Sequence, residues 1–342
     1  MSGYLYNLAT DRYNGLISSL MKSFLFILSL IYGLAIRLLM FFYGIRPFRP
    51  ACKVVSVGNI TLGGTGKTPL VRYLVRWLKG RGHRVAIITR GYLNSDEPRM
   101  LQEDLTDVPV IVDADRARAI KRAISEYAVD TVVLDDGLQQ WRIKKDLDIV
   151  TVDSLNPFGN KQMIPRGILR QPLSSLKTAE VFVLTKTDRN PELNRLENFL
   201  KQINPGAVIA ESVHSPAGFY ELDKKGTVLN SSTLEGKTVA LVCGIADPAS
   251  FAHSLKALSM TIGLALEFSD HYDYSLKDLE DIIDAARQKG IDTIVTTEKD
   301  AVKLCKLQIA NSKLQIFVLR VELQITKNEE GFLERLSGLY RI

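Results

Sequence analysis

A glycine-rich stretch that ends in Lys-Thr contains the residues of this sequence whose types and spacing best suit chemistry on phosphate. Residues 56–70 read SVGNITLGGTGKTPL. Glycines in such a stretch let the backbone turn tightly and point its N–H groups at an anion. Lys67 would reach the β- and γ-phosphates of a nucleotide, and Thr68 would ligate Mg²⁺. The usual pattern G-x-x-x-x-G-K-[S/T] is missed once, because Thr61 stands where its first glycine would be.

The flanking residues predict the two elements that must position this stretch. Residues 53–57 form an apolar run typical of a strand, and residues 69–78 repeat apolar side chains at helical spacing. A strand, a glycine-rich turn, Lys-Thr and a helix, in that order, make a phosphate-binding loop, and the helix N-terminus adds its positive dipole end. A chance glycine-rich turn is the alternative, which this context disfavours.

A second chemical signal lies in residues 130–136, which read DTVVLDD. The apolar run predicts a central strand, so Asp135 would emerge beside the loop and hold Mg²⁺, directly or through water. Asp136 would complete the metal's shell or orient a neighbour. Paired carboxylates alone also suit a solvated turn, but one Mg²⁺ site requires both this strand end and the glycine-rich loop.

Phosphate transfer to a hydroxyl also needs a group that orients or deprotonates the acceptor. Asp96, in a loop after the second predicted strand, and His271, in a loop of the second half, are the two candidates. A carboxylate from one domain and an imidazole from the other would meet when a cleft closes; a turn carboxylate and a structural loop histidine are the alternatives. Arginines suited to phosphate are Arg90, Arg116, Arg118, Arg166 and Arg170.

Composition narrows the class of protein and of partner. The chain has 342 residues, 46% of them apolar and 24% charged, which describes an ordinary globular protein rather than a disordered one. A net charge of +6 suits an acidic partner such as a nucleotide or an anionic lipid surface. Basic residues are spread without interleaved aromatics, so we expect no nucleic-acid partner.

The N-terminal region predicts contact with a membrane. Residues 23–36, SFLFILSLIYGLAI, carry no charge, and apolar character resumes after Arg37. The uninterrupted run is shorter than the roughly 18–20 residues of a spanning helix, and no small-residue cleavage site follows it. We therefore expect a helix in the membrane interface, with Arg37 reaching towards water and the aromatic residues 41–43 at headgroup level. A buried packing helix and a single span are the alternatives.

Alternating strands and helices predict an α/β protein with a P-loop NTPase-like parallel sheet, which binds ligands at the carboxyl ends of its strands. We expect an N-terminal membrane-associated helical segment at 1–50 and a P-loop kinase domain at 51–205. A linker at 206–236, where Pro216 separates short extended pieces, would lead to a smaller α/β domain at 237–342.

Eight blocks along the chain resemble the tetraacyldisaccharide 4'-kinase family, the lipid A 4'-kinases. In order they are GNITLGGTGKTP, TRGY, DEP, LDDGLQ followed by KKDLDIV, IPRGILRQP, CGIADPASF, FSDHYDY and TTEKDAVKL. The missing first glycine of the loop is itself part of the family's pattern. The resemblance implies transfer of the γ-phosphate of ATP, with Mg²⁺, to the 4'-hydroxyl of tetraacyldisaccharide 1-phosphate, forming lipid IVA at the cytoplasmic face of the inner membrane.

The same resemblance implies roles for individual residues. Asp96 would be the base, paired with His271, while Asp135 and Asp136 would serve the metal and catalytic site together with Lys67. The ATP-binding residues would be Thr61, Leu62, Gly63, Gly64, Thr65, Gly66, Lys67 and Thr68. The substrate or phosphate environment would comprise Arg116, Gln139 and Arg170.

Some positions depart from the family's pattern. Ser95 replaces a usual glycine, Gln140 a usual histidine and Gln171 a usual glutamate. We expect these departures to affect substrate contacts more than ATP chemistry. The competing hypothesis is a membrane-surface ATPase or GTPase switch, but Leu62 occupies the position of such ATPases' extra lysine, and TKTD at 185–188 is a poor guanine-reading motif.

Overall fold

Helices and strands alternate along most of the computed structural model, which describes residues 15–91, 96–224, 226–307 and 314–341. The helices are α1 (Leu16–Ile45), α2 (Lys67–Lys79), α3 (Asp96–Asp104), α4 (Arg116–Tyr127), α5 (Leu193–Ile203), α6 (Pro248–Ala257), α7 (Leu276–Gln288), α8 (Glu298–Leu304) and α9 (Glu329–Gly338). The strands are β1 (Lys53–Gly58), β2 (Val85–Thr89), β3 (Val110–Val112), β4 (Thr131–Asp135), β5 (Leu147–Asp153), β6 (Val181–Thr185), β7 (Val208–Glu221), β8 (Thr238–Cys243), β9 (Thr261–Glu267), β10 (Thr293–Thr297) and β11 (Gln315–Lys327).

The described residues form two compact units, each assembled from separate stretches of chain. Unit 1 takes those within Met1–Arg90, Val108–Val213 and Ile325–Ile342; unit 2 takes those within Gly91–Asp107 and His214–Gln324. These boundaries differ from the predicted ones, because 91–107 group with the second half and 325–342 with the first. Strands β7 and β11 each contribute residues to both units.

A long strand occupies much of the segment 206–236 that the sequence predicts as a linker with short extended pieces. Strand β7 occupies 14 residues there and passes through Pro216 without ending. Its pairing with β6 covers Val208–Glu211 only, so Pro216 lies beyond that ladder, where the missing N–H costs no hydrogen bond to β6.

The sheet strands of unit 1 confirm the predicted P-loop architecture. Their order is β3-β2-β4-β1-β5-β6-β7, and β1 is parallel to both of its neighbours, β4 and β5. Strands β2, β4 and β6 are buried along their whole length, which explains their nearly continuous apolar sequences. Because Val57 pairs with Asp135, the carboxyl ends of β1 and β4 lie side by side.

Unit 2 is a second α/β unit with the strand order β7-β11-β10-β8-β9. Strand β10 is parallel to β11 and β8, and β8 is parallel to β9. Its helices begin at side-chain caps: Ser275 and Asp278 form a capping box on α7, and Thr297 caps α8. The capping box sets where the loop after β9 ends, and Thr297 is also the last residue of β10, so α8 follows that strand directly.

Helix α1 is longer than the uncharged run that predicted it. It has 30 residues, about 45 Å at 1.5 Å per residue, and most of its large apolar side chains are exposed. Its residues Ile17–Ile45 are apolar and long enough to cross a membrane. One face packs within unit 1, where the Tyr32 hydroxyl donates to the Arg170 carbonyl (3.2 Å). A buried packing helix, one of the alternatives, does not describe it.

Candidate active site

The glycine-rich loop connects β1 to α2 as the sequence predicts. Gly66 directly precedes α2 in the left-handed region (φ +80°), where a side chain would be strained. Thr61 instead makes an antiparallel bridge with Leu169, so this position needs no glycine. The tip of the loop, Leu62 to Gly64, is exposed to solvent. The loop is thus accessible, and the missing first glycine has a structural explanation.

Buried hydroxyl groups of two neighbouring strands, β5 and β6, anchor the loop. Thr65 is buried, and its Oγ1 lies 2.7 Å from Oγ1 of Thr151 on β5. Thr185, at the end of β6, donates to the Thr65 carbonyl oxygen (3.3 Å). Anchoring a loop to two strands fixes its backbone before any ligand arrives, which is what an anion-binding loop requires.

Asn59, which follows β1 directly, is the central acceptor of the site. It is fully buried; Lys67 Nζ donates to its Oδ1 (3.2 Å) and Gln139 Nε2 to its carbonyl oxygen (2.9 Å). Arg170 Nη2 donates to the same carbonyl (2.8 Å) and also contacts Oδ1. Sequence reasoning missed Asn59, although a polar residue between a buried strand and a phosphate loop is a signal for such a role.

Arg170 and Asp136 form a bidentate ion pair beside Lys67. Arg170 Nη1 and Nη2 each donate to one Asp136 oxygen, both at 2.8 Å, and Lys67 Nζ lies 3.8 Å from Asp136 Oδ1. Burial by itself would raise the pKa of Asp136. The hydrogen bonds from Arg170 and the charges of Lys67, Arg170 and Arg116 outweigh burial and hold this pKa below its ordinary value. Asp136 is therefore ionised at neutral pH and keeps two cations oriented.

Close packing of β1 against the chain after β4 brings these groups together. A Cβ added at Gly58 would lie 2.5 Å from the Leu138 Cβ, so only glycine fits there. Asp136 itself has a positive φ (+52°), which turns the chain sharply at the strand end. Asp135, the last residue of β4, is buried.

Arg116 adds a buried cation to the same region. Burial lowers its pKa to about 10, although the charges of Asp135 and Asp136 raise it. It remains charged at neutral pH, and its Nε and Nη2 have no hydrogen-bond partner within the described part of the chain. Arg118, by contrast, pairs with Asp113 and is 65% exposed, so it does not join the site.

The donor set in unit 1 fits Mg²⁺. Thr68 lies in the first turn of α2, which follows β1 through the loop, and Asp135 ends β4, the neighbour of β1. Among the described residues no cluster of three or more His, Cys, Asp or Glu could hold a metal. Mg²⁺ usually binds one or two carboxylates together with substrate phosphates and water, so it does not need such a cluster.

The predicted base residues both belong to unit 2, which corrects the expectation that they come from different domains. Asp96 is the first residue of α3, and its side chain lies outside the described residues. Sequence continuity with β2 suggested the first domain, but residues 91–107 group with unit 2. His271 has a positive φ (+62°) in the loop after β9. Its Nε2 lies 3.2 Å from Nζ of Lys299, a residue to which the sequence assigned no role.

Comparisons with known proteins agree with this geometry. Residues 21–340 match the family described as tetraacyldisaccharide-1-P 4'-kinase. The tetraacyldisaccharide 4'-kinase of Halothermothrix orenii is 35% identical over 95% of this chain and 94% of its own length. That of Desulfatibacillum aliphaticivorans is 33% identical over 90% of both chains. The crystal structure of LpxK from Aquifex aeolicus, described as an apo form in complex with ATP, superposes with a TM-score of 0.74. It is 25% identical and covers 94% of this chain and 100% of its own.

Proposed function

Because this chain belongs to the tetraacyldisaccharide 4'-kinase family, we propose that it transfers the γ-phosphate of ATP to the 4'-hydroxyl of tetraacyldisaccharide 1-phosphate. The observation that carries the proposal is the group of cations at the end of β1. Lys67 and Arg170 converge on Asn59 and Asp136 directly beside a phosphate-binding loop. Such an arrangement suits a transferring phosphoryl group, whose reaction depends on positioning and on charge stabilisation.

In this proposal the site residues of unit 1 bind ATP and Mg²⁺ and neutralise the charge of the phosphates. The backbone of residues 61–68 and the N-terminus of α2 bind the phosphates, and Lys67 contacts the β- and γ-phosphates. Arg170 and Arg116 neutralise charge on the γ-phosphate or on the acceptor's own phosphate. Thr68 and Asp135 would hold Mg²⁺, which would supply positive charge to offset that of the phosphates.

Unit 2 supplies the acceptor chemistry in this proposal. Asp96 takes the proton of the 4'-hydroxyl, supported by His271. As the hydroxyl oxygen forms its bond to the γ-phosphorus, the bond from that phosphorus to the β–γ bridging oxygen breaks, and ADP leaves. A carboxylate base of this kind contributes typically 10²–10⁴-fold to the rate, whereas binding of ATP does not depend on it.

The direct test is incubation of the purified protein with ATP labelled in its γ-phosphate and tetraacyldisaccharide 1-phosphate in detergent micelles, followed by chromatography of the lipid. We expect a labelled lipid with the wild-type protein and about 10²-fold slower labelling with Asp96→Asn. Asp107→Asn, an exposed aspartate beyond the end of α3, serves as the matched control and should behave like wild type. Nucleotide hydrolysis without any labelled lipid would contradict the kinase and support the switch.

We further propose that α1 lies in the cytoplasmic interface of the inner membrane. Burying one leucine or phenylalanine side chain is worth about 1.5–3 kcal/mol, so the exposed apolar face of α1 strongly favours a lipid environment. The Arg37 guanidinium lies near the side of α1 that packs on the protein. This follows from Gly33, where an added Cβ would lie 3.1 Å from Arg37 Nη1 and 3.8 Å from Met163 Cγ. Extraction of membranes with alkaline carbonate should release the protein; retention in the pellet would indicate a spanning helix instead.

A further inference from the structure

Three charged or titratable side chains of unit 2 surround one ammonium group. Nζ of Lys299 donates to Asp270 Oδ1 (3.0 Å) and lies 3.2 Å from His271 Nε2 and 3.9 Å from Glu97 Oε1. The Lys299 side chain is 18% exposed, whereas those of Asp270 and His271 are 38% and 53% exposed, so only the lysine end of these contacts is shielded from solvent. Lys299 thus joins the loop after β9 to the first turn of α3.

We infer that Lys299 is a positioning residue for the phosphate transfer, which holds the His271 imidazole in one tautomer and in a fixed place relative to α3. The inference rests on the proposed function. Lys299 touches neither nucleotide nor acceptor in this scheme, and it acts through His271.

The backbone around His271 is held from the same turn of α8. The buried carboxylate of Asp300 accepts from the Gly244 N–H (3.0 Å), the Tyr274 hydroxyl (3.2 Å) and the Thr297 hydroxyl (2.6 Å). The Gly244 carbonyl in turn accepts from the His271 N–H (3.2 Å). Asp300 therefore fixes the main chain of the histidine loop, and its neighbour Lys299 fixes the side chain.

Helix α3 is tied to α8 near both of its ends. Near its beginning, Glu97 lies by Lys299. Near the end of α3, Arg320 of β11 connects the two helices. Its Nη2 lies 3.5 Å from Oδ1 of Asp104, the last residue of α3, and its Nε lies 3.8 Å from Oε1 of Glu298, the first residue of α8. Because Asp96 directly precedes Glu97, the contact with Lys299 also restrains the backbone that carries the proposed base.

The chemistry of the contact sets the tautomer of the histidine. An ammonium has three donors and no acceptor, so Nε2 of His271 can only accept from Lys299. An imidazole that accepts at Nε2 is neutral and carries its proton on Nδ1. Removing the ammonium would free the ring to rotate and to exchange tautomers, and a catalytic group misplaced by 1 Å can cost on the order of 10² in rate.

The experiment measures kcat and the KM for ATP for Lys299→Met, with the labelled-lipid assay and with thermal unfolding as a check of folding. We expect kcat to fall about 10- to 100-fold while the KM for ATP stays within about twofold, because ATP binds in unit 1. Lys299→Arg keeps the cation and should recover much of the lost kcat. Lys306→Met, an exposed lysine just beyond α8, is the control and should match wild type.

A double-mutant cycle with His271→Ala distinguishes positioning from general stabilisation. If Lys299 acts through His271, Lys299→Met should cause little further loss in the His271→Ala background. Losses that multiply, a wild-type kcat for Lys299→Met, or a changed KM for ATP at constant kcat would each overturn the inference. Lys299→Gln, which keeps a donor without the charge, replaces Lys299→Met if the latter fails to fold. A wild-type protein that makes no labelled lipid would instead reject the proposed function itself.

Discussion

Lys67→Met should lower kcat/KM for lipid phosphorylation by on the order of 10³ and leave the fold intact. Lys67 begins α2, and its ammonium lies 3.2 Å from Asn59 Oδ1 and 3.8 Å from Asp136 Oδ1. Loss of a single preorganised donor to a developing negative charge typically costs 10²–10³ in rate, and Lys67 supplies a full charge as well. Methionine keeps the length and the apolar stem of lysine, so the change removes little besides the charge.

Two further variants make the Lys67 result specific. Lys79→Met changes a half-buried lysine in the last turn of the same helix, at the opposite end from the loop, and should stay within about twofold of wild type because it removes no charge at the site. Lys67→Arg keeps the charge but replaces a compact ammonium with a planar fork, so we expect most activity to be lost there too. A Lys67→Met enzyme within tenfold of wild type would show that the loop does not act as a phosphate-binding loop in this reaction.

The nucleotide loop was predictable because its signal is local. The spacing of glycines, lysine and threonine, and the strand and helix on either side, all fall within residues 53–78. The ion pair of Asp136 with Arg170 was not predictable in the same way. The two residues are 34 positions apart and were assigned to different tasks, and only the pairing of β1 with β4 and the bridge from Thr61 to Leu169 bring them together.

Unit membership of the base candidates shows where sequence order misleads. Residues 91–107 follow β2 without a break, which suggested that Asp96 belongs with the nucleotide domain. Contacts between helices α3 and α8 and the ion pairs of Arg320 instead attach this segment to unit 2. The role of Lys299 was not predictable from the sequence for a related reason. A long flexible side chain in a polar block reveals its partner only when the fold places Asp270 and His271 beside it.

Asp135→Asn should lower kcat by about 10³-fold and raise the Mg²⁺ concentration needed for half-maximal activity. Asp135 is the last residue of β4, buried and paired in register with Val57 just before the loop. A carboxylate there can bind Mg²⁺ directly or through water, and the ion supplies several kcal/mol of charge stabilisation to phosphoryl transfer. Asparagine preserves the shape of the side chain but removes the negative charge that attracts the ion.

Asp130→Asn at the opposite end of the same region is the matched control for Asp135→Asn. Asp130 directly precedes β4 and contacts His83 and the Arg84 backbone. It therefore tests loss of a carboxylate at the amino end of the same strand, away from the carboxyl end of the sheet. We expect its Mg²⁺ dependence to equal that of wild type. Activity should be titrated with MgCl₂ after treatment with EDTA, alongside thermal unfolding, because Asp135 also offsets the charge of buried Arg116. An unchanged Mg²⁺ dependence in a folded Asp135→Asn enzyme would assign the metal to Asp136 instead, and the ion pair of Asp136 with Arg170 would then have to open when ATP and Mg²⁺ bind.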